Sequence, residues 1–159
     1  MNKQLLINAQ RALLLTLIMV AFAVFGFAGS AAAQTVKITG NDQWQLVKSD
    51  TDYKVYTKEI ACLDPKNGFD MQKLLVKVEN LTSANLIIEF DKKLSYDGEC
   101  KKCDVNSKEN HIRIVLGSKV TLESDCTVDE DGLTTFIAMI GRPGEKLTAF
   151  EFTNFVTYK

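Results

Sequence analysis

Between Tyr53 and Phe155 apolar residues recur at every second position, and clusters of turn-forming residues keep interrupting them. Side chains of a strand point alternately to opposite faces, so this spacing marks strands with one buried face. A helix would need apolar residues three and four apart, and no such stripe occurs after residue 34. The chain is therefore restricted to an all-β fold.

Leu74–Glu79 carries the clearest alternation, with Leu74, Val76 and Val78 on one face and Leu75, Lys77 and Glu79 on the other. After the polar connector Asn80–Asn85, Leu86, Ile88 and Phe90 resume it. Two such runs about a short polar connector predict an antiparallel hairpin. A separate strand is expected around Lys93–Tyr96, stopped by Asp97-Gly98. Ile112, Ile114 and Leu116 alternate next, then Val120 and Leu122 beyond Gly117-Ser118. Leu133–Ile140 is continuously apolar, as expected of a strand covered on both faces. Phe150 and Phe152, with Phe155, belong to the last strand. Many short strands with irregular connections predict an antiparallel, immunoglobulin-like β-sandwich.

The start of the chain has a different grammar. Lys3 and Arg11 precede an apolar run, Ala12–Ala28, followed by Gly29-Ser30-Ala31-Ala32-Ala33. A charged start, an apolar stretch and small residues at Ala31 and Ala33 make a helical secretory signal peptide, Met1–Ala33. Cleavage leaves Gln34–Lys159, the size of one domain. The run is at the short edge of the roughly 20 residues that span a bilayer, and nothing after Gln34 is long and apolar enough to do so. The mature chain is expected to be secreted or periplasmic and not membrane-spanning.

Charge excludes one class of partner. There are 19 basic and 20 acidic residues, and the leader takes away Lys3 and Arg11 but no acidic residue. A mildly acidic remainder without a basic stripe is not the footprint of a nucleic-acid binder.

Export puts Cys62, Cys100, Cys103 and Cys126 in oxidising surroundings, where disulfides persist. Three pairings are open. Loop entropy does not choose between them. Proximity favours Cys100–Cys103 as a local clip, which leaves Cys62–Cys126 as a long-range staple. Redox catalysis by Cys100-Lys101-Lys102-Cys103 is the enzymatic alternative, since adjacent lysines lower a thiol pKa. No helical pattern follows the pair, as a thioredoxin-like site would require. A four-cysteine zinc site would want two such close pairs, and only one is present. The clip also shapes a candidate recognition loop, Tyr96–Glu109, with Tyr96, Lys101 and Lys102 as its contact residues.

Other groups carry weaker signals. His111 is the only histidine and no nucleophile-elbow motif accompanies it, so a surface or hydrogen-bonded role is expected. Asp125, Asp129, Glu130 and Asp131 lack the calcium-loop ladder and read as a solvated turn. Asn80-Leu81-Thr82 matches a glycosylation sequon but reads as a turn whose side chains bond the backbone. Trp44, Tyr53 and Tyr56 are expected in the core rather than on a binding platform. No catalytic residue, metal or cofactor is expected.

The segments Leu75–Thr82, Phe90–Cys103 with its Tyr96-Asp97-Gly98-Glu99-Cys100-Lys101-Lys102-Cys103 core, and Leu147–Asn154 resemble a family of small secreted bacterial proteins of unknown function. The resemblance covers roughly Tyr53 to Phe155. It implies secretion and a β-sandwich, and it brings no catalytic residues. The expected function is a non-enzymatic binding or structural module at the cell exterior, with a protein or glycan as partner. The alternative is a thiol–disulfide oxidoreductase using Cys100 and Cys103. A third class, a carrier with a pocket between the sheets, requires a hollow core.

Overall fold

The computed structural model describes residues 33–64, 66–103, 108–127 and 132–159. The leader as far as Ala32, Pro65 of the Asp64–Gly68 turn, part of the Tyr96–Glu109 loop and the acidic residues Asp129–Asp131 lie outside the described residues.

Ten strands and no helix make up the described chain. They are β1 (Gln34–Val36), β2 (Gln45–Ser49), β3 (Tyr53–Cys62), β4 (Met71–Asn80), β5 (Leu86–Tyr96), β6 (Glu99–Lys102), β7 (His111–Leu116), β8 (Thr121–Glu123), β9 (Thr134–Met139) and β10 (Leu147–Tyr158). The first sheet runs β1-β10-β5, and β6 and β7 share the far edge of β5. The second runs β2-β3-β4, and β8 and β9 share the far edge of β4. All pairings are antiparallel.

The alternating residues meet between the sheets. Val55, Val76, Val78, Leu86, Ile88, Phe90, Ile137, Phe150 and Phe152 are fully buried. Phe152 meets Phe90 edge-on at 5.2 Å and Phe150 at 4.7 Å between ring centroids, a geometry that the ring quadrupole favours. Each such side chain contributes roughly 1.5–3 kcal/mol through removal from water.

The chain changes sheet from β4 to β5 and from β9 to β10, while β4 neighbours β9 and β5 neighbours β10. The second and fifth, and the third and sixth, strands of an immunoglobulin-like sandwich are related in the same way. Here β2-β3-β4 forms a meander, and β1 fills the place beside β10.

Three expectations are corrected. β4 and β5 are not a hairpin but face each other from different sheets. Both alternations bury one face, and a sandwich satisfies both by placing those faces against each other. Second, the strand expected from Lys93 is the end of one continuous β5, Leu86–Tyr96. The two-residue turn that ends it has φ 50° at Asp97 and 83° at Gly98, the left-handed pair that favours Asp-Gly in tight hairpins. Third, β9 is not covered on both faces. Thr135 and Ile137 are buried, whereas Phe136 and Ala138 on the other face are only half-buried.

Candidate functional site

The structure pairs Cys62 with Cys126 and Cys100 with Cys103, with Cα atoms 5.5 and 5.7 Å apart. The first bond joins the end of β3 to the segment after β8, so it ties the two neighbours of β4 together. The second lies on the exposed β6 edge, a strand rather than a helix N-terminus.

Of the expected recognition residues, Tyr96 faces inward. It is half-buried, and its hydroxyl donates to the Phe136 carbonyl at 2.9 Å. Burial, and then the charge of Glu145, raises its pKa. Lys101 lies 3.1 Å from Glu99 and 3.6 Å from Glu145. The hydrogen bond to Glu99, then the Glu145 charge, raises its pKa. Lys102 is 3.5 Å from Glu109. The two lysines are exposed but already paired within the molecule, and Lys102, opposite Leu94, borders the same cleft as Tyr96.

Between the sheets, buried side chains fill the space, and the clefts lie at the margins. One of about 290 Å³ opens between β5, β6 and β9, bordered by Lys92, Tyr96, Lys102, Thr135 and Phe136. Another, of about 210 Å³, opens beside β1, β2 and β3. Both fall below the roughly 300–1,000 Å³ of ordinary ligand pockets, whereas a third, of about 420 Å³ beside Gly40, Glu59, Gln72 and Ile140, falls within it. Among the described residues, no group of three or more His, Cys, Asp or Glu side chains could hold a metal ion.

The expected aromatic core separates. Tyr53 is buried, while Trp44 and Tyr56 are half-buried on the outer face of the second sheet. The Lys58 and Lys77 ammonium groups lie 4.4 and 5.0 Å from the Trp44 ring centroid, and Lys77 is 4.3 Å from that of Tyr56. Tyr56 also donates to Glu79 at 2.9 Å. These rings are packed by the protein's own cations. Asp125 accepts the Thr127 backbone N–H at 2.7 Å. Bonds from the Thr127 hydroxyl and backbone lower its pKa, so it caps a local turn.

The outer face of the first sheet is built differently. β7, β5 and β10 bring three rows together. Val115, Ile87 and Tyr158 make the first row; Arg113, Glu89 and Val156 the second; His111, Asp91 and Thr153 the third. Val115 is 61 % exposed, Tyr158 50 % and Val156 44 %. The polar rows are held in place. Asp91 is buried and accepts His111 Nδ1 at 2.9 Å and Asn154 Nδ2 at 2.8 Å. An acceptor at Nδ1 places the proton there and leaves Nε2 outward, 4.0 Å from Glu89. Glu89 in turn accepts Arg113 Nε at 3.0 Å. The side-chain contacts described for His111 are carboxylates, and they orient the imidazole. This surface can bind: an apolar row on a rigid sheet, bordered by fixed donors and acceptors. Sequence reading singled out His111 alone, because only strand register sets Asp91 beside it and aligns Val115 with Ile87 and Tyr158.

The sequence matches no protein-family model, and neither a curated protein nor a solved structure is significantly similar to it.

Proposed function

We propose that the protein is an exported, non-enzymatic binding module whose contact surface is the outer face of the first sheet. The apolar row Val115–Ile87–Tyr158, with oriented Arg113 and Glu89 in the next row and His111 in the row beyond, carries this reading. Apolar centres bordered by polar groups are how interfaces are composed. Export is supported by the leader grammar and by two disulfides that need oxidising surroundings. The partner is a protein surface, since the exposed apolar side chains Val115, Val156 and Tyr158 stand on a sheet face rather than in a cleft.

The test places a photo-reactive amino acid at Val115 or, as control, at Thr121 on the second sheet, in cells making the full chain. A protein adduct from Val115 and none from Thr121 is expected. Equal adducts, or none, end the proposal. The isolated product should begin at Gln34; a product beginning at Met1 removes the exported part of the reading.

Exposure of both Cys100 and Cys103 favours a second reading, thiol–disulfide exchange. Its position on a strand deprives it of the helix N-terminus that stabilises a thiolate. Titration against a glutathione buffer decides: an exchanging pair opens near −180 to −270 mV, a structural one stays closed.

A further inference from the structure

We propose that the cleft where β3 ends and β4 begins binds a small organic cation, an ammonium or guanidinium group carried on a short aliphatic chain. The site belongs to the second sheet and does not depend on the contact face described above.

The cleft opens where the inner row of the second sheet runs out of cover. Glu59 and Leu74 are register partners and both are buried. Ala61 and Gln72, the next pair on that face, are exposed and half-buried. On the β3 side, the Glu59 N–H donates to the Asn41 carbonyl and so holds Gly40 and Asp42 at the rim. On the β4 side, the Ile140 N–H donates to the Asp70 carbonyl and sets the exposed Ile140 at the opposite rim. The space between is about 420 Å³, enough for a small molecule.

Its charge is negative and unanswered. The Glu59 carboxylate is bonded by neutral amides alone, the Thr39 and Gly40 N–H groups and Gln72 Nε2. They fill three of about four acceptor positions and leave the net charge uncompensated. Glu59 is 5 % exposed, and away from water an opposite charge gains most. Asp42 accepts only Gln43 Nε2, at 3.2 Å. Among the described residues neither carboxylate has an ion pair. Lys58, beside Glu59 in sequence, reaches Trp44 and Glu123 instead. Lys73, opposite Ile60, donates to the Cys126 carbonyl.

The rest of the wall is apolar: Ile60, Ala61 and Ile140. A bare metal ion would use none of these side chains and would find only two carboxylates. A cation on an aliphatic chain uses both parts, the head group against Asp42 and Glu59 and the methylenes along the isoleucines.

The experiment follows backbone and side-chain amide shifts of the purified protein, with pentylamine as probe and pentan-1-ol as its uncharged analogue. Saturating shifts at Gly40 and Gln72 are expected with pentylamine, at a dissociation constant on the order of 1 mM, and none with the alcohol. Asp42→Asn should weaken binding about fivefold. Ile140→Lys puts the chain's own ammonium into the cleft and should abolish it. Both residues are exposed, and the unaltered shifts of the core amides verify that each variant is folded. A lysine blocked at both ends separates two sources of the head group. Affinity equal to that of pentylamine assigns the ligand to a basic side chain of another protein, and much weaker binding assigns it to a free amine. The inference is overturned if pentylamine fails to saturate at tenfold that concentration, if the alcohol shifts the same amides equally, or if both variants bind pentylamine as the native chain does.

Discussion

The Asn80 side-chain amide donates to the Gly117 carbonyl at 2.7 Å, and this bond joins two places where the chain passes from one sheet to the other. Asn80 ends β4, and Gly117 follows β7. The same Nδ2 reaches the Ala84 carbonyl at 2.8 Å, while Oδ1 accepts the Thr82 backbone N–H at 2.8 Å and its hydroxyl at 2.9 Å. The sequon Asn80-Leu81-Thr82 is thus a structural turn with a buried amide.

Asn80→Asp removes both donors and sets a carboxylate against backbone carbonyls. Leaving buried groups unsatisfied costs about 1–3 kcal/mol, more when a charge is involved. A loss of about 3 kcal/mol is expected in urea unfolding, with a smaller loss for Asn80→Ser. An Asn80→Asp variant as stable as the native chain would show that the crossovers hold without this amide.

The two disulfides should differ in weight. Cys62 and Cys126 are separated by 64 residues, Cys100 and Cys103 by 3. Loop-closure entropy then gives about 4 kcal/mol for the first and about 2 kcal/mol for the second. Replacing Cys62 and Cys126 together by alanine should lower the melting temperature clearly more than the same change at Cys100 and Cys103. Equal shifts would mean that the unfolded chain is not the state these bonds constrain.

Glu59 offers a third measurement. It is buried on the inner face of β3, where its carboxylate accepts the Thr39 N–H at 2.6 Å, the Gly40 N–H at 2.9 Å and Gln72 Nε2 at 3.1 Å. It holds the connection between β1 and β2 against the sandwich. Glu59→Gln keeps the shape but replaces one oxygen by a donor, so one of the backbone amides loses its acceptor. A loss of about 1–3 kcal/mol should appear together with faster hydrogen exchange at Gly40. Unchanged exchange at both Gly40 and Thr39 would place the anchor elsewhere.

What the sequence disclosed follows from what alternation can say. Leu86, Ile88 and Phe90 are buried as their spacing implies, and Asp97-Gly98 turns as its chemistry implies. Alternation names a buried face but not the sheet that covers it, so the passage from β4 to β5 resembled a hairpin. Lys92 hid the continuity of β5: it sits on the inward row, buried, and donates to the Gly132 carbonyl. A lysine in that phase reads as a break. Tyr53 and Tyr56 fall on opposite faces of β3, and nothing local says which face water meets. The rows on the first sheet arise from strands far apart in the chain, so they exist only once register is known.

The last prediction concerns alkaline pH. Tyr53 and Tyr96 both have raised pKa values: burial first and then Asp50 for the one, burial first and then Glu145 for the other. In the unfolded chain each phenol loses its proton near pH 10, whereas the folded chain retains it to higher pH. Above about pH 10 the unfolded state therefore binds fewer protons than the folded one, and stability falls as pH rises. The contribution is fully present below the unfolded pKa and is lost as pH climbs through the folded values. Urea midpoints should hold level with respect to these groups below about pH 9 and drop beyond pH 10. Tyr96→Phe loses about 1 kcal/mol at neutral pH with its bond to the Phe136 carbonyl. It should also lose part of the alkaline slope, because it has no proton to release on unfolding. A slope unchanged in Tyr96→Phe would assign the alkaline transition to other groups and leave the inward Tyr96 hydroxyl without a measurable part in it.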